Sequence, residues 1–186
     1  MNTAKPGAMG SRHEAGNDGL KGDDQPKVDV SKSTPATAVL DKAKVAYGLA
    51  TYAYDPTADR VGLQAAEALG APPSEVLKTL IVKVDGKPAC VVLASDREVA
   101  MKKLAAALGG KTAEMAPVPE AERITGYRVG GVSPFGQKKR LPTLLDAEAA
   151  ALPQAYVNGG QRGLQLRLAP ADLVRLLGAT VAAVAV

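Results

Sequence analysis

The chain has 186 residues, 46% of them apolar, and carries 23 basic against 19 acidic side chains for a net charge of +4. That is enough for one domain with a real core and too little for two ordinary ones. No run reaches the roughly 18–20 apolar residues of a membrane helix, and the polar N-terminal segment lacks a signal peptide's apolar stretch, so a cytoplasmic protein with no membrane partner is expected.

The segment Met1–Lys32 contains five basic and five acidic residues and the glycines Gly10, Gly16, Gly19 and Gly22. It is too polar to offset its own ordering entropy, which predicts a disordered tail over 1–32 and a single domain over 33–186. The net positive charge therefore lies wholly in the domain, where it is compatible with an anionic partner such as RNA. The single histidine, His13, is in the tail. Histidine-dependent triads, His-rich zinc sites and a histidine general base are thereby removed from the domain. The lone Cys90 excludes an internal disulfide, and its setting in Pro88–Ala94 reads as a buried strand.

Ser33 or Thr34 before Pro35 is an N-cap followed by a first-turn proline, opening a helix that runs to about Tyr47. Leu49–Tyr54 reads as a short strand ended by Asp55-Pro56, and Leu63–Leu69 as a short helix stopped by Gly70. Two β-branched runs, Thr79–Val84 and Ala89–Ala94, flank Asp85-Gly86 and form the strongest hairpin signal in the chain. Arg97–Leu108 predicts a helix closed by Gly109-Gly110, and Pro119–Ile124 another. A strand is expected at Tyr127–Val129, then a Gly/Pro/basic loop through Pro142. Further strands are expected near Thr143–Leu145, Ala155–Val157 and Leu164–Leu168, then a helix at Pro170–Leu177 and a strand at Thr180–Val186. Irregular interleaving with a hairpin argues for a mixed α/β (α+β) fold with a mixed sheet, against a doubly wound parallel one.

Two stretches offer chemistry. Lys78 starts a strand and shares a face with Leu80 and Val82, which suits either a lysine snorkelling at a strand edge or a charge aimed into a pocket. In Gly126–Pro142, the glycines Gly130, Gly131 and Gly136 free backbone amides for close approach, Ser133 offers a hydroxyl, and Pro134 stiffens the turn. Lys138, Lys139 and Arg140 follow, where cations could hold an RNA backbone. A glycine-rich connection with solvated charges fits the same residues. Asn158-Gly159-Gly160 makes a second such turn, or a hairpin.

Five separated blocks carry a resemblance: Thr34-Pro-Ala36; Thr51-Tyr52 before Asp55-Pro56; Lys78-Thr79-Leu80; Gly126–Pro142; and Tyr156-Val-Asn-Gly-Gly160 with Arg162-Gly163-Leu164. From Thr34 onward the chain resembles the YbaK/EbsC family of aminoacyl-tRNA deacylases, relatives of the editing domain inserted in bacterial prolyl-tRNA synthetases. The resemblance implies a six- or seven-stranded mixed sheet curled toward a barrel and surrounded by helices. It also implies removal of mischarged cysteine from tRNA(Pro), with tRNA(Pro) carrying a mismatched amino acid and prolyl-tRNA synthetase as partners, and with neither metal nor other cofactor. The class is a hydrolase, or a lyase where the substrate's own thiol displaces the ester. The alternatives are an alanyl-tRNA(Pro) editor and a non-catalytic tRNA- or synthetase-binding module.

Position by position, the family's functional lysine falls on Lys78, and its substrate pocket on Tyr52, Thr79, Gly130, Gly131, Ser133, Pro134, Asn158, Gly159 and Gly160. Lys138, Lys139 and Arg140 are the expected tRNA contacts. Many members of the family carry serine where this chain has Asn158. Lys78 is expected to engage the terminal nucleotide and the glycine-loop amides the developing oxyanion.

Overall fold

Thr34 caps the first helix, α1 (Pro35–Lys42), in a reciprocal capping box with Thr37, and Pro35 occupies the first turn. The helix stops five residues before the expected Tyr47, and Lys44 adopts a positive φ of 56°. The computed structural model describes residues 32–186; the tail expected at 1–32 lies, apart from Lys32, outside the described residues.

Strand β1 (Gly48–Thr51) leads to α2 (Val61–Leu69), which ends on Gly70 in the left-handed conformation, as its C-terminal glycine predicts. A 3₁₀ turn at Pro73–Glu75 delivers the chain into β2 (Leu77–Val84), paired antiparallel with β3 (Lys87–Ala94) through the Asp85-Gly86 turn. Both turn residues have positive φ, 47° and 79°, as a two-residue hairpin requires. Then follow α3 (Met101–Ala107), β4 (Ala113–Met115), α4 (Val118–Thr125), β5 (Thr143–Asp146), the single turn α5 (Ala147–Ala150), β6 (Ala155–Asn158), β7 (Leu164–Leu168), α6 (Pro170–Leu177) and β8 (Thr180–Ala182).

Among the described residues the eight strands make two sheets, one in the order β1-β7-β6 and one in the order β4-β2-β3-β5-β8. The larger is mixed, as expected: β5 runs parallel to both β3 and β8, and the remaining pairs are antiparallel. The expected curl toward a barrel is not found. Neither sheet closes: the larger ends on β4 and β8 and the smaller on β1 and β6. Among the described residues the backbone link between the two sheets is an isolated bridge from Val76, just before β2, to Tyr156 of β6.

The main core lies between one face of the larger sheet (Ile81, Cys90, Val92, Leu145) and the smaller sheet (Val157, Leu166, Leu168), with Leu40, Ile124, Phe135 and Leu173 filling the margins. On the larger sheet's other face Val82, Val91 and Leu144 pack with Leu104 and Ala105 of α3. Cys90 is fully buried, and burial pushes its thiol pKa up to about 12.

Three expected elements are corrected by where backbone groups find partners. Tyr127–Val129 is a turn, not a strand: the Val129 N–H donates to the Glu122 carboxylate (3.0 Å) and its carbonyl accepts from Arg162 Nε (3.0 Å), so side chains take the place of a neighbouring strand. The helix expected from Arg97 begins at Met101, because Glu98 and Ala100 hydrogen-bond the extended Val184–Val186 segment. The final strand ends at Ala182. The N–H groups of Val184 and Ala185 both donate to the buried Asp146 carboxylate at 2.9 Å. β4 and α5 had no expectation at all.

Candidate active site

The free edge of β2 forms the wall of a cavity of about 460 Å³, within the range of small-molecule sites. On that edge β4 pairs only with Val82–Val84, and the backbone bridge to β6 is at Val76. Among the described residues no strand pairs with Lys78–Leu80 on that edge. Lys78 lies on the strand face of Leu80 and Val82, as its alternation predicts, and Thr79 on the opposite face, so the cavity wraps the bare edge and meets both.

Lys78 is half-buried, and its Nζ lies 3.4 Å from the Ser95 carbonyl oxygen. Desolvation holds its pKa below the ordinary lysine value, opposed by the carboxylates of Glu98 and Asp96 and reinforced by Arg60. Ser95 is itself fixed, its hydroxyl donating to the Val76 carbonyl. Arg60, Asp96 and Glu98 are exposed and stand at the mouth. Beside them Met115, Val118 and Val129, 49%, 53% and 39% exposed, give the rim an apolar side.

The floor is uncharged. Residue pairing across the smaller sheet puts Asn158 directly opposite Gln165, with Tyr52 one step beyond β1 on the same face. Tyr52 and Gln165 are 7% and 4% exposed. Burial pushes the Tyr52 hydroxyl pKa up, and the nearby Gln165 side chain draws it partly back. Asn158 bridges two glycine turns, donating from Nδ2 to the Gly130 carbonyl (3.2 Å) and accepting from the Gly160 N–H (2.7 Å).

Gly130 has a φ of +91°, and a Cβ there would stand 2.7 Å from the Tyr54 hydroxyl. The Tyr54 ring lies under the Arg162 guanidinium, 5.2 Å from centroid to Cζ. A Cβ at Gly131 would meet the Arg162 backbone nitrogen at 2.8 Å, one at Gly159 the Leu164 side chain at 2.7 Å, and one at Gly160 the Tyr127 ring at 2.8 Å. The two glycine turns are thus packed against each other. The α1 cap joins them, since the Thr34 hydroxyl donates to the Gly159 carbonyl at 2.6 Å.

Of the residues expected in the site, Lys78, Thr79, Tyr52, Gly130 and Asn158 line the cavity together. Gly131, Ser133, Pro134, Gly159 and Gly160 do not line it. Ser133 is fully buried and its Oγ accepts from the Phe135 N–H, which makes it a turn residue behind the wall. Lys138, Lys139 and Arg140 are exposed and apart from this cavity. Lys138 and Lys139 donate their backbone N–H groups to the Thr125 and Ile124 carbonyls, which places them at the C-terminus of α4, where cations are favoured. With Arg123 they line a second, shallower cavity of about 330 Å³. Helix α4 divides the two, giving Val118 and Ala121 to the first and Glu120, Arg123 and Ile124 to the second. Sequence reasoning missed Arg60, Ser95, Asp96, Glu98 and Gln165. The alternation Leu-Gln-Leu-Arg-Leu of β7 assigns Gln165 to the solvent face with Arg167, and no local signal marks it otherwise.

Residues 56–176 match the family described as the aminoacyl-tRNA editing domain. Over 153 residues the chain is 35% identical to EbsC of Enterococcus faecalis, assigned as a Cys-tRNA(Pro)/Cys-tRNA(Cys) deacylase; the match covers 81% of this chain and 92% of that one. It is 30% identical over 103 residues to the proline–tRNA ligase of Desulforamulus reducens, covering 55% of this chain and 18% of the ligase. Among solved structures, one assigned as a trans-editing enzyme for prolyl-tRNA synthetase superimposes with a TM-score of 0.68 at 25% identity, over 83% of this chain and 98% of that one. A hypothetical protein superimposes with a TM-score of 0.72 at 28% identity, over 82% and 100%.

Proposed function

The chain belongs to the aminoacyl-tRNA editing domain family, and from that premise we propose that it hydrolyses the ester joining a mischarged amino acid, cysteine first, to tRNA(Pro). The single observation that best supports this reading is the half-buried Lys78 on a bare strand edge, charged above a neutral hydrogen-bonding floor. In the reaction water adds to the ester carbonyl, the bond to the ribose oxygen breaks, and the free amino acid and the tRNA hydroxyl are released. This is hydrolysis; the lyase class that the sequence left open does not describe it.

An aminoacyl ester is activated, so positioning and electrostatics can account for most of the acceleration. In this reading Lys78 faces the negative charge of the terminal nucleotide or of the developing oxyanion. Partial burial lowers its pKa, and the same partial loss of water strengthens its interaction with such a charge. Tyr52, Thr79, Gly130 and Asn158 shape the floor that receives the acyl group. Gly131, Ser133, Pro134, Gly159 and Gly160 act through the shape of the two turns. Lys138 and Lys139, with Arg140 beside them, take phosphates of the acceptor end after it crosses α4, an arrangement supported by the second cavity. The proposed place of action is the cytoplasm, where charged tRNA is found. Among the described residues no helix is long and apolar enough to cross a membrane.

The test is deacylation of cysteinyl-, alanyl- and prolyl-tRNA(Pro) by the purified protein. Faster release of cysteine than of proline is expected. Preference for alanine would move the reading to an alanyl editor, and binding without release of any amino acid would make the protein a non-catalytic module.

A further inference from the structure

Four of the five sequence blocks that carry the family resemblance each place a residue in the main cavity: Tyr52, Lys78, Gly130 and Asn158. The first, Thr34-Pro-Ala36, places none. Its contacts lie elsewhere. Thr34 is buried at the N-cap of α1 with an extended backbone (φ −131°, ψ 165°), the conformation that a following proline favours. Its Oγ1 accepts from the Thr37 N–H at 3.1 Å, which is its share of the helix cap. The hydroxyl has one proton to give. The Gly159 carbonyl oxygen stands at 2.6 Å and Thr37 Oγ1 at 3.4 Å, so the proton goes to Gly159.

The Gly159 carbonyl and the Gly160 N–H belong to one planar peptide group and point in opposite directions. Thr34 holds the carbonyl end, and the N–H end donates to Asn158 Oδ1 at 2.7 Å. Asn158 Nδ2 then donates to the Gly130 carbonyl at 3.2 Å. A backbone N–H can only donate and a carbonyl can only accept, so one orientation of the Asn158 amide satisfies both. A continuous chain of hydrogen bonds thus runs from a helix cap outside the cavity to two residues that line it, and each link polarises the next. The start of α1 is itself braced. A Cβ on Gly136 would stand 2.5 Å from the Pro35 carbonyl carbon, so the first turn of the helix lies hard against the glycine-rich loop.

Resting on the proposed deacylase reading, we infer that Thr34 is a positioning residue whose hydroxyl orients peptide 159–160 and, through it, the Asn158 amide and the Gly130 carbonyl at the cavity. Thr34 does not line the cavity and acts only through this chain. Without its donor the peptide is no longer held at the carbonyl end, and a turn of its plane carries the Gly160 N–H away from Asn158.

The test measures cysteinyl-tRNA(Pro) deacylation and Tm in variants of the full chain. Thr34→Val keeps the side-chain shape and the extended backbone but has no proton to give. It should lower kcat by about 10- to 10²-fold, the scale of a small misplacement within a site. KM for tRNA should change little, because phosphate contacts dominate that affinity. Thr34→Ser keeps both the donor and the cap and should stay near the wild-type kcat. Thr37 supplies the other half of the capping box, bonding the Thr34 backbone N–H and carbonyl. Thr37→Val should therefore lower Tm and leave kcat as in wild type. If it loses as much kcat as Thr34→Val, Thr34 is only a helix cap and the inference is overturned. In Asn158→Ala the chain is already cut, so adding Thr34→Val should cost little further rate, and full additivity of the two losses also overturns the inference. Should Thr34→Val not fold, Thr34→Asp replaces it: aspartate caps at least as well as threonine and brings no donor, so a wild-type kcat there is equally fatal. If wild type deacylates cysteinyl-tRNA(Pro) and Thr34→Val matches its kcat, only the role of Thr34 falls. If wild type hydrolyses no aminoacyl-tRNA, the deacylase reading falls and takes this inference with it.

Discussion

Replacing Gly130 with alanine separates two costs that the structure predicts for the first glycine turn. The residue holds φ at +91°, and an added Cβ would stand 2.7 Å from the Tyr54 hydroxyl oxygen and 3.3 Å from two of its ring carbons. A left-handed conformation costs an L-residue about 1–2 kcal/mol. Displacing Tyr54, and with it the stacked Arg162 guanidinium, adds about 1–3 kcal/mol of the kind seen when a packed site is overfilled. Gly70→Ala is the control, because Gly70 has a φ of +62° with nothing within 4 Å of the added methyl. It should show the backbone cost alone. At roughly 2–4 °C per kcal/mol for a chain of this size, Gly130→Ala should melt about 2–12 °C below Gly70→Ala. The assay is thermal unfolding of both variants beside cysteinyl-tRNA(Pro) deacylation. Gly130 lines the cavity and its carbonyl receives Asn158, so a shift of about 1 Å there should lower kcat/KM by about 10²-fold. Gly70→Ala should keep wild-type activity. Equal melting temperatures together with undiminished activity in Gly130→Ala would refute this account of the turn.

Lys78→Ala should reduce the rate at saturating tRNA by about 10²-fold or more, and a near-wild-type saturated rate would make Lys78 a surface lysine. Because its folded pKa lies below the ordinary value, the unfolded chain binds more protons between the two, so wild-type stability rises with pH across that window. Lys78→Met removes the half-buried charge; it should melt above wild type at neutral pH, by a margin that shrinks as pH approaches about 10.4. Replacing Lys138 and Lys139 together with alanine should weaken tRNA binding and flatten the slope of log K against log salt by about 1.4–1.8, with the saturated rate little changed; an unaltered slope would remove them from the RNA path. Cys90 should resist a thiol reagent at neutral pH in the native protein and react on unfolding, its pKa standing at about 12 in full burial; rapid native labelling would contradict its place in the core.

The features legible in the amino-acid sequence are local ones. The Asp85-Gly86 hairpin, the Thr34-Pro35 start and the Gly70 stop each depend on a few adjacent residues whose preferences no distant partner overturned. The single histidine at position 13, and the consequent need for lysine, amide and hydroxyl chemistry, also required no fold. The tertiary arrangement settled everything that depends on where a backbone or side-chain group finds its partner. Val129 left the strand state because Glu122 and Arg162 took its N–H and carbonyl. The larger sheet ends on β4 and β8, which pair with β2 and β5 and not with each other. Ser133, a candidate by chemistry, faces its own turn. Gln165, which no local signal marks, is buried because its side of β7 is turned to a cavity also lined by β2, more than eighty residues earlier in the chain. Local periodicity reports which face of a strand a side chain leaves; it holds no information on what stands opposite that face, and in this protein that neighbour is the candidate site.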